Sequence, residues 1–217
     1  MPEEILLESM ADIDKLKSWP YSKSFCWISR RRGLLTVLLG LIALYDTLWG
    51  GAHPLDFLGR GASLWALVPW SLTLAAVVVR IWGAGNLRKN QGVTRTGIYR
   101  MVRHPLYLGN LLVYLAFFLS FGNPVLGITL FLILLYPIHY PLMLQEEARL
   151  NRDFPLEFAQ AKATPRLLPN PLAFREALAT DRFSLKRAYH NHSMRSFWAP
   201  ILLPVLMEVL ILLRTRL

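Results

Sequence analysis

The chain is poor in cysteine and in acidic side chains, and both shortages limit what it can be. Its 217 residues include one cysteine, Cys26, so no disulfide can form within the chain, and the spacing of Cys and His matches no zinc motif. Only 14 Asp and Glu oppose 24 Lys and Arg, which gives a net charge of +10. The polar leader is long and no small-residue cleavage site follows the first apolar block, so no cleavable signal peptide is predicted. We therefore expect neither a metal site nor a disulfide framework.

Long uncharged blocks are what the sequence has in abundance. Hydrophobic residues make up 54% of the chain and its mean hydropathy is +0.35. A membrane-spanning helix needs roughly 20 apolar residues, and five blocks approach that length. The sequence predicts an all-α, multi-pass transmembrane helical bundle of about five spans, with 1–32 as a cytosolic or interfacial segment, 33–171 as the core and 172–217 as an interfacial segment plus a last hydrophobic helix. The predicted spans are Gly33–Trp49, Ala62–Trp82, Pro105–Phe121, Val125–Leu144 and Phe197–Leu213.

The basic residues gather between the apolar blocks. Six Lys and Arg lie in 1–32, five in 83–104 and nine in 145–196, against one in 50–61. Because cytosolic loops are enriched in Lys and Arg, this pattern predicts a cytosolic N-terminus and cytosolic basic segments. The same pattern explains the positive net charge by membrane topology and by attraction to anionic lipid head groups. No nucleic-acid partner is needed to explain it. The expected location is the inner membrane of a bacterium or the endoplasmic reticulum of a eukaryote.

Two polar clusters stand at the ends of the third and fourth blocks. The first, residues 97–110, holds two Arg, one His and two Tyr, and the second is Gln145-Glu146-Glu147. The turn at 121–124 is short, so the two blocks should form an antiparallel hairpin that brings both clusters to the cytosolic side. Charged groups at a bilayer edge are costly without partners or ligand. We therefore expect a cytosolic pocket here.

The first cluster carries a recognisable motif. Residues 97–109 read GIYRMVRHPLYLG and resemble the G-x-Y-x-x-x-R-H-P-x-Y-x-G signature of the isoprenylcysteine carboxyl methyltransferase and phospholipid methyltransferase superfamily. The EEARL of 146–150 and the TPRLLP of 164–169 also match, and the resemblance covers about 75–171. It implies an integral membrane methyltransferase that binds S-adenosyl-L-methionine at the cytosolic mouth of the bundle and methylates a lipid-soluble acceptor.

The polar residues of the motif suit that cofactor. Arg103 and His104 can meet its carboxylate through charge-assisted hydrogen bonds. Glu146 or Glu147 can accept from the ribose hydroxyls or the ammonium. These four side chains are predicted cofactor contacts.

Aromatic residues and glycines complete the predicted pocket. Tyr99 and Tyr107 can stack on adenine or lie beside the positive sulfonium. The absence of a side chain at Gly83, Gly85 and Gly109 allows close backbone approach. All five are predicted to bind the cofactor.

Two residues are predicted to act on the acceptor. Arg80 matches a family arginine that orients the acceptor, although an ordinary helix-end arginine is the alternative. In the carboxyl methyltransferases a basic residue commonly precedes the double glutamate, whereas here 136–141 read YPIHYP. His139 is the candidate base for an amine, phenol or thiol acceptor, with a plain packed histidine as the alternative.

Other functions stay open on sequence alone. Sterol reductases resemble the same helical core and use a nicotinamide cofactor, but they have more spans than this chain. A non-enzymatic membrane protein that binds lipid through its basic loops is the third reading. Binding of S-adenosylhomocysteine would distinguish a methyltransferase from a reductase and from a lipid-binding protein without enzymatic activity.

Overall fold

The computed structural model describes residues 31–56, 64–89, 91–191 and 198–215, and within these ranges it is all-helical, with no strand. The predicted all-α class is confirmed. Segment 1–30, with Cys26 and most of the predicted cytosolic or interfacial segment, lies outside the described residues. The α-helices are α1 (Arg32–Trp49), α2 (Leu67–Asn86), α3 (Pro105–Leu119), α4 (Pro124–Leu134), α5 (Tyr140–Asp153), α6 (Pro155–Ala161), α7 (Phe174–Ala179), α8 (Leu185–His190) and α9 (Ala199–Arg214).

A π-helical segment, Leu135–His139, joins α4 to α5, so that Pro124–Asp153 runs as one helix of 30 residues. Pro137 and Pro141 interrupt the helical hydrogen bonds here, because proline has no N–H to donate. The structure absorbs this interruption in the π segment, where the wider turn accommodates a residue without an N–H.

Prolines and one asparagine define where the central hairpin begins and turns. Pro105 and Pro124 occupy the first turns of α3 and α4, where a missing N–H costs nothing. Asn123 caps α4 by accepting the Leu126 N–H at 3.1 Å. The two helices approach closely at Gly127, where an added Cβ would lie 2.9 Å from the Phe118 carbonyl oxygen. The expected α3–α4 hairpin is therefore present.

The hydrophobic core lies between α1, α3, α4 and α9. Its largest fully buried apolar side chains include Phe118, Leu134 and Met207. Helix α9 thus packs as part of the bundle, although it is remote in sequence. The core cluster consists of Ala43, Ala116, Phe118, Phe121, Leu130, Leu134, Ile138, Leu203, Met207 and Leu210.

Among the residues that the structure describes, two helices are long and apolar enough to cross a membrane, Leu64–Asn86 and Pro124–Asp153. Only 28% and 33% of their apolar stretches is buried inside the protein, so most of each apolar surface faces outward. The apolar parts of α1 and α3, Gly33–Trp49 and Pro105–Leu119, are shorter. The five-span arrangement stays a prediction.

Residues 171–191 contain a 3-10 turn (Pro171–Ala173), α7 and α8. We call them the clasp segment, because they are held against the C-terminal end of α2. The Ser184 N–H and the Arg187 side chain both donate to the Gly85 carbonyl oxygen, at 3.1 and 2.8 Å. Asn191 donates to the Ala84 carbonyl oxygen at 2.9 Å. The last carbonyls of α2, which have no partner within the helix, are satisfied in this way.

Candidate functional site

Three distant stretches of the chain meet at one end of the bundle. The Arg103 N–H donates to the Pro165 carbonyl oxygen at 2.7 Å, and the His104 N–H donates to the Arg166 carbonyl oxygen at 3.1 Å. A third hydrogen bond joins the Asn170 N–H to the Met101 carbonyl oxygen at 2.9 Å. The 164–170 stretch is thus fastened along the 101–104 stretch, just before α3 begins.

The carboxylate of Glu147, on α5, is the centre of this junction. Its Oε1 accepts from Arg103 Nη1 at 2.7 Å and lies 3.0 Å from His104 Nε2. Arg166 binds both carboxylate oxygens, with Nε 3.0 Å from Oε1 and Nη2 3.0 Å from Oε2. These hydrogen bonds raise the pKa of the Arg166 guanidinium above its usual value. One buried carboxylate therefore ties together three motif segments.

Arg103 is held from several sides. Besides Glu147, its guanidinium donates to the carbonyl oxygens of Lys162 and Thr164. One face lies over the Phe158 ring, with Cζ 5.8 Å from the ring centroid. Its Nε is buried and has no hydrogen-bond partner among the described residues. Most buried N–H groups have an acceptor, so this one is an exception within the network.

A cavity of about 240 Å³ opens beside this network. Five of the predicted cofactor residues line it: Tyr99, Arg103, His104, Tyr107 and Glu146. The rest of the wall comes from the loop after α2 and from α5 and α6, including Leu87, Arg88, Lys89, Gly92, Val93, Thr94, Arg149, Leu150, Phe158, Ala161 and Thr164.

Tyr99 and Glu146 form the polar pair of this cavity. Burial, with a further contribution from the Glu146 charge, raises the pKa of Tyr99 above its usual value. The phenol therefore keeps its proton at neutral pH and acts as a donor. Glu146 is the carboxylate of the lining, where Arg88, Lys89 and Arg149 are cationic. A ligand carrying both an anionic group and hydroxyl or ammonium donors matches this arrangement.

Several predicted residues lie away from the cavity lining, and protein atoms occupy the space beside them. A Cβ at Gly83 would lie 3.2 Å from the Pro105 ring, and a Cβ at Gly85 would lie 2.3 Å from the Phe183 ring. At Gly109 a Cβ would lie 2.3 Å from Cγ of Arg80. The close approach expected at these glycines is therefore made by protein neighbours.

His139 is deeply buried within the helix bundle. Its Nδ1 lies 3.0 Å from the Leu134 carbonyl oxygen, and its ring is 5.3 Å from that of Tyr114 on α3. A donating Nδ1–H fixes the tautomer that keeps the basic lone pair on Nε2. Neither His139 nor Arg80 lines the cavity, and their role toward the acceptor stays a prediction.

Sequence reasoning missed Arg166 as a site residue. It belongs to the TPRLLP match, but nothing in the spacing shows that its side chain reaches back 19 residues to Glu147. The sequence gives no distinction between Glu146 and Glu147 as cofactor contacts. In the structure Glu146 lines the cavity, whereas Glu147 is absent from the lining and binds Arg103, His104 and Arg166. Within the part of the chain that the structure describes, no three His, Cys, Asp or Glu side chains are grouped to hold a metal ion.

One similarity to a known protein was found. The chain is 38% identical over 104 residues to the cobalt-zinc-cadmium resistance protein CzcN of Cupriavidus metallidurans, a match that covers 46% of this chain and 47% of that protein. The chain thus spans about half the length of this relative. No protein-family model matches the chain, and no solved structure matches it.

Proposed function

We propose that the chain is an integral membrane methyltransferase that uses S-adenosyl-L-methionine to methylate a lipid-soluble acceptor. The observation that carries the proposal is the Glu147 network, which joins the three segments of the methyltransferase-like motif at the rim of one cavity. Such a junction supports a common ligand site, because the carboxylate holds the Arg103 and His104 side chains in fixed positions where they line the cavity.

The outer surface of the bundle supports membrane insertion, for which we propose five spans with the N-terminus and the site in the cytosol. Large apolar side chains on α1, α2, α4 and α9 are exposed, which is unfavourable in water and favourable in lipid. In a membrane their outward apolar surface is buried by acyl chains. These side chains include Val37, Leu41, Leu74, Val78, Ile128, Ile133, Leu202, Val205 and Leu212.

The residues of the cavity suit the cofactor. When bound, S-adenosyl-L-methionine supplies a methyl group on a positively charged sulfur. Arg103 and His104 line the cavity and suit its carboxylate, and Glu146 suits its ribose hydroxyls or its ammonium. Tyr99 and Tyr107 supply aromatic surface for the adenine or the sulfonium.

Glu147 positions two of these groups. Its two oxygens are taken by Arg103, His104 and Arg166, which fixes the rotamers of the first two. Pre-arranged groups lose little freedom when they bind a ligand, and methyl transfer depends mainly on positioning. We therefore assign Glu147 a positioning role and Glu146 a direct contact.

Arg80 and His139 are the groups we assign to the acceptor. Arg80 lies on α2 against Gly109, where its guanidinium can orient a polar head group. His139 Nε2 can remove a proton from an amine, phenol or thiol before the methyl group is received. An acceptor with an acyl or prenyl tail stays in the membrane because each CH₂ transferred to water costs about 0.8 kcal/mol.

The test is calorimetric titration of the purified full-length protein with S-adenosylhomocysteine. We expect binding by the native protein and by Arg152→Gln, an exposed control on α5. Binding should weaken by about 1–3 kcal/mol in His104→Ala, the scale of a charge-assisted hydrogen bond. Binding of a reduced nicotinamide cofactor instead would favour the reductase reading, and binding of lipid alone the non-enzymatic one.

A role in resistance to cobalt, zinc and cadmium is the second candidate, favoured by the similarity to CzcN. It is tested in cells that depend on this chain for growth on those metals. If Glu146→Gln abolishes methyl transfer and resistance together, both belong to one site. Retained resistance in that variant, with zinc binding by the purified protein, would indicate a separate metal function.

A further inference from the structure

A second cavity, of about 210 Å³, lies on the other side of the loop that walls the first. The loop residues Arg88, Gly92, Val93 and Thr94 line both cavities. Arg182, on the clasp segment, forms another part of the wall of the second cavity. Its full lining is Arg88, Gln91, Gly92, Val93, Thr94, Arg95, Thr96 and Arg182.

Three arginines converge on this cavity and no acidic residue lines it. The Arg95 guanidinium donates to the Gln160 side chain, which carries no charge. Within the described residues the guanidinium groups of Arg88 and Arg182 have no hydrogen-bond or ion-pair partner. Like charges placed near one another repel, so an anion bound among these three side chains would be stabilised.

The acidic groups nearby are already committed to other contacts. Asp181, beside Arg182, accepts from Trp82 Nε1 at 3.2 Å and from Asn86 Nδ2 at 2.6 Å. Glu157 accepts the Val93 N–H at 2.7 Å. Neither carboxylate lines the cavity, so the charged side chains of the lining are all cationic.

The surroundings favour the head group of a lipid over a soluble anion. The cavity lies at the end of α2, one of the two helices long enough to span a membrane. Next to Arg182 the clasp segment leaves Phe183, Leu185 and Tyr189 43%, 63% and 73% exposed. Apolar side chains beside cations are typical of segments that lie at the boundary between head groups and acyl chains.

We propose that Arg88, Arg95 and Arg182 form a binding site for the phosphate of an anionic phospholipid, between the α2 loop and the clasp segment. The bidentate geometry of guanidinium suits phosphate oxygens. The site depends on the membrane placement of α2 and not on methyl transfer. Because the loop is shared by both cavities, a lipid bound here also steadies one wall of the cofactor cavity.

Arg182→Gln tests the site, because Arg182 lines only the second cavity. Arg175→Gln is the matched control: it is exposed, lies on the same clasp segment and lines neither cavity. Full-length protein in lipid-free detergent is titrated with phosphatidylglycerol, phosphatidylcholine or inorganic phosphate. Native mass spectrometry counts the bound lipid. The unfolding temperature of the native protein and of both variants is measured with each of the three ligands.

We expect the native protein and Arg175→Gln to bind phosphatidylglycerol in preference to phosphatidylcholine, and Arg182→Gln to bind it roughly tenfold more weakly. Equal loss in both variants would show unspecific attraction to charge and overturn the site, as would unchanged binding in Arg182→Gln. An equal effect of inorganic phosphate would overturn the lipid assignment. S-adenosylhomocysteine binding should persist in Arg182→Gln, so the two proposals can fail separately.

Discussion

At the scale of single residues, the structure separates side chains that line the cavity from side chains that hold the lining in place. Glu146 and Glu147 are neighbours in sequence, yet Glu146 lines the cavity and Glu147 is bound by two arginines and a histidine. Gly109 shows the same division of roles, because its missing side chain leaves room for the stem of Arg80.

Glu146→Gln and Glu147→Gln should therefore differ. We expect Glu146→Gln to weaken S-adenosylhomocysteine binding and to leave the unfolding temperature unchanged. Glu147→Gln loses ionic hydrogen bonds to three partners, so it should also lower the free energy of unfolding by about 1–3 kcal/mol. Calorimetric titration and thermal unfolding of both variants make the comparison. Equal loss of stability in the two variants would contradict the assignment.

Gly109→Ala tests whether this glycine serves Arg80. The added methyl would overlap the Arg80 stem, and such overpacking costs about 1–3 kcal/mol or displaces the arginine. We expect methyl transfer to fall while S-adenosylhomocysteine binding is retained. Gly33→Ala is the control, since nothing lies within 4 Å of a Cβ there. Loss of cofactor binding in Gly109→Ala would instead support the direct cofactor contact predicted from the motif.

At the scale of elements, the C-terminal end of α2 depends on residues far away in the chain. Asn86 is 1% exposed, and its side chain joins Asp181, the Arg182 N–H and the Thr96 hydroxyl. Gly97 packs on the same amide, where a Cβ would lie 2.5 Å away, and its φ of +58° is one that other residues rarely adopt. The first glycine of the motif therefore serves the junction between α2 and the clasp segment.

Asp181→Ala should loosen this junction. It removes the acceptor of the Trp82 and Asn86 side chains and leaves a buried amide without one partner. We expect a loss of about 1–3 kcal/mol in the free energy of unfolding and faster proteolysis within 171–191. Asp153→Ala, a change at an exposed surface pair, is the control and should be nearly neutral. If both variants unfold alike, the clasp segment does not depend on Asp181.

At the scale of the whole molecule, the basic segments predict which surface meets the cytosol. In a Cys26→Ser background, single cysteines at Arg95 and Lys162 should react with an impermeant thiol reagent only after the inner face is exposed. A cysteine at His53, in the sparsely charged loop after α1, should react from outside in intact cells. The opposite pattern would reverse the topology on which the lipid-phosphate site depends.

The sequence by itself determined where most helices lie. Apolar blocks and helix-starting prolines predicted the first helix and the first arm of the central hairpin within one or two residues of their observed ends: Gly33–Trp49 became Arg32–Trp49, and Pro105–Phe121 became Pro105–Leu119. The second arm, predicted as Val125–Leu144, begins at Pro124 and continues as one helix to Asp153. These signals are local, because helix formation depends on nearby side chains and on the missing N–H of proline. The second helix begins at Leu67 and extends to Asn86, beyond the predicted end at Trp82, since its last turn is capped by the clasp segment.

Only the tertiary structure decided which polar residues serve the cavity. Successive residues of a helix point about 100° apart, so the double glutamate places one carboxylate in the cavity and the other behind it. Which one faces the cavity is set by the 164–170 stretch and its Arg166, whose position no local pattern encodes. The second cavity is likewise lined by the loop after α2 and by Arg182, which lies almost a hundred residues later in the sequence. Contacts of this kind depend on how distant elements pack, and that packing is absent from any short window of sequence.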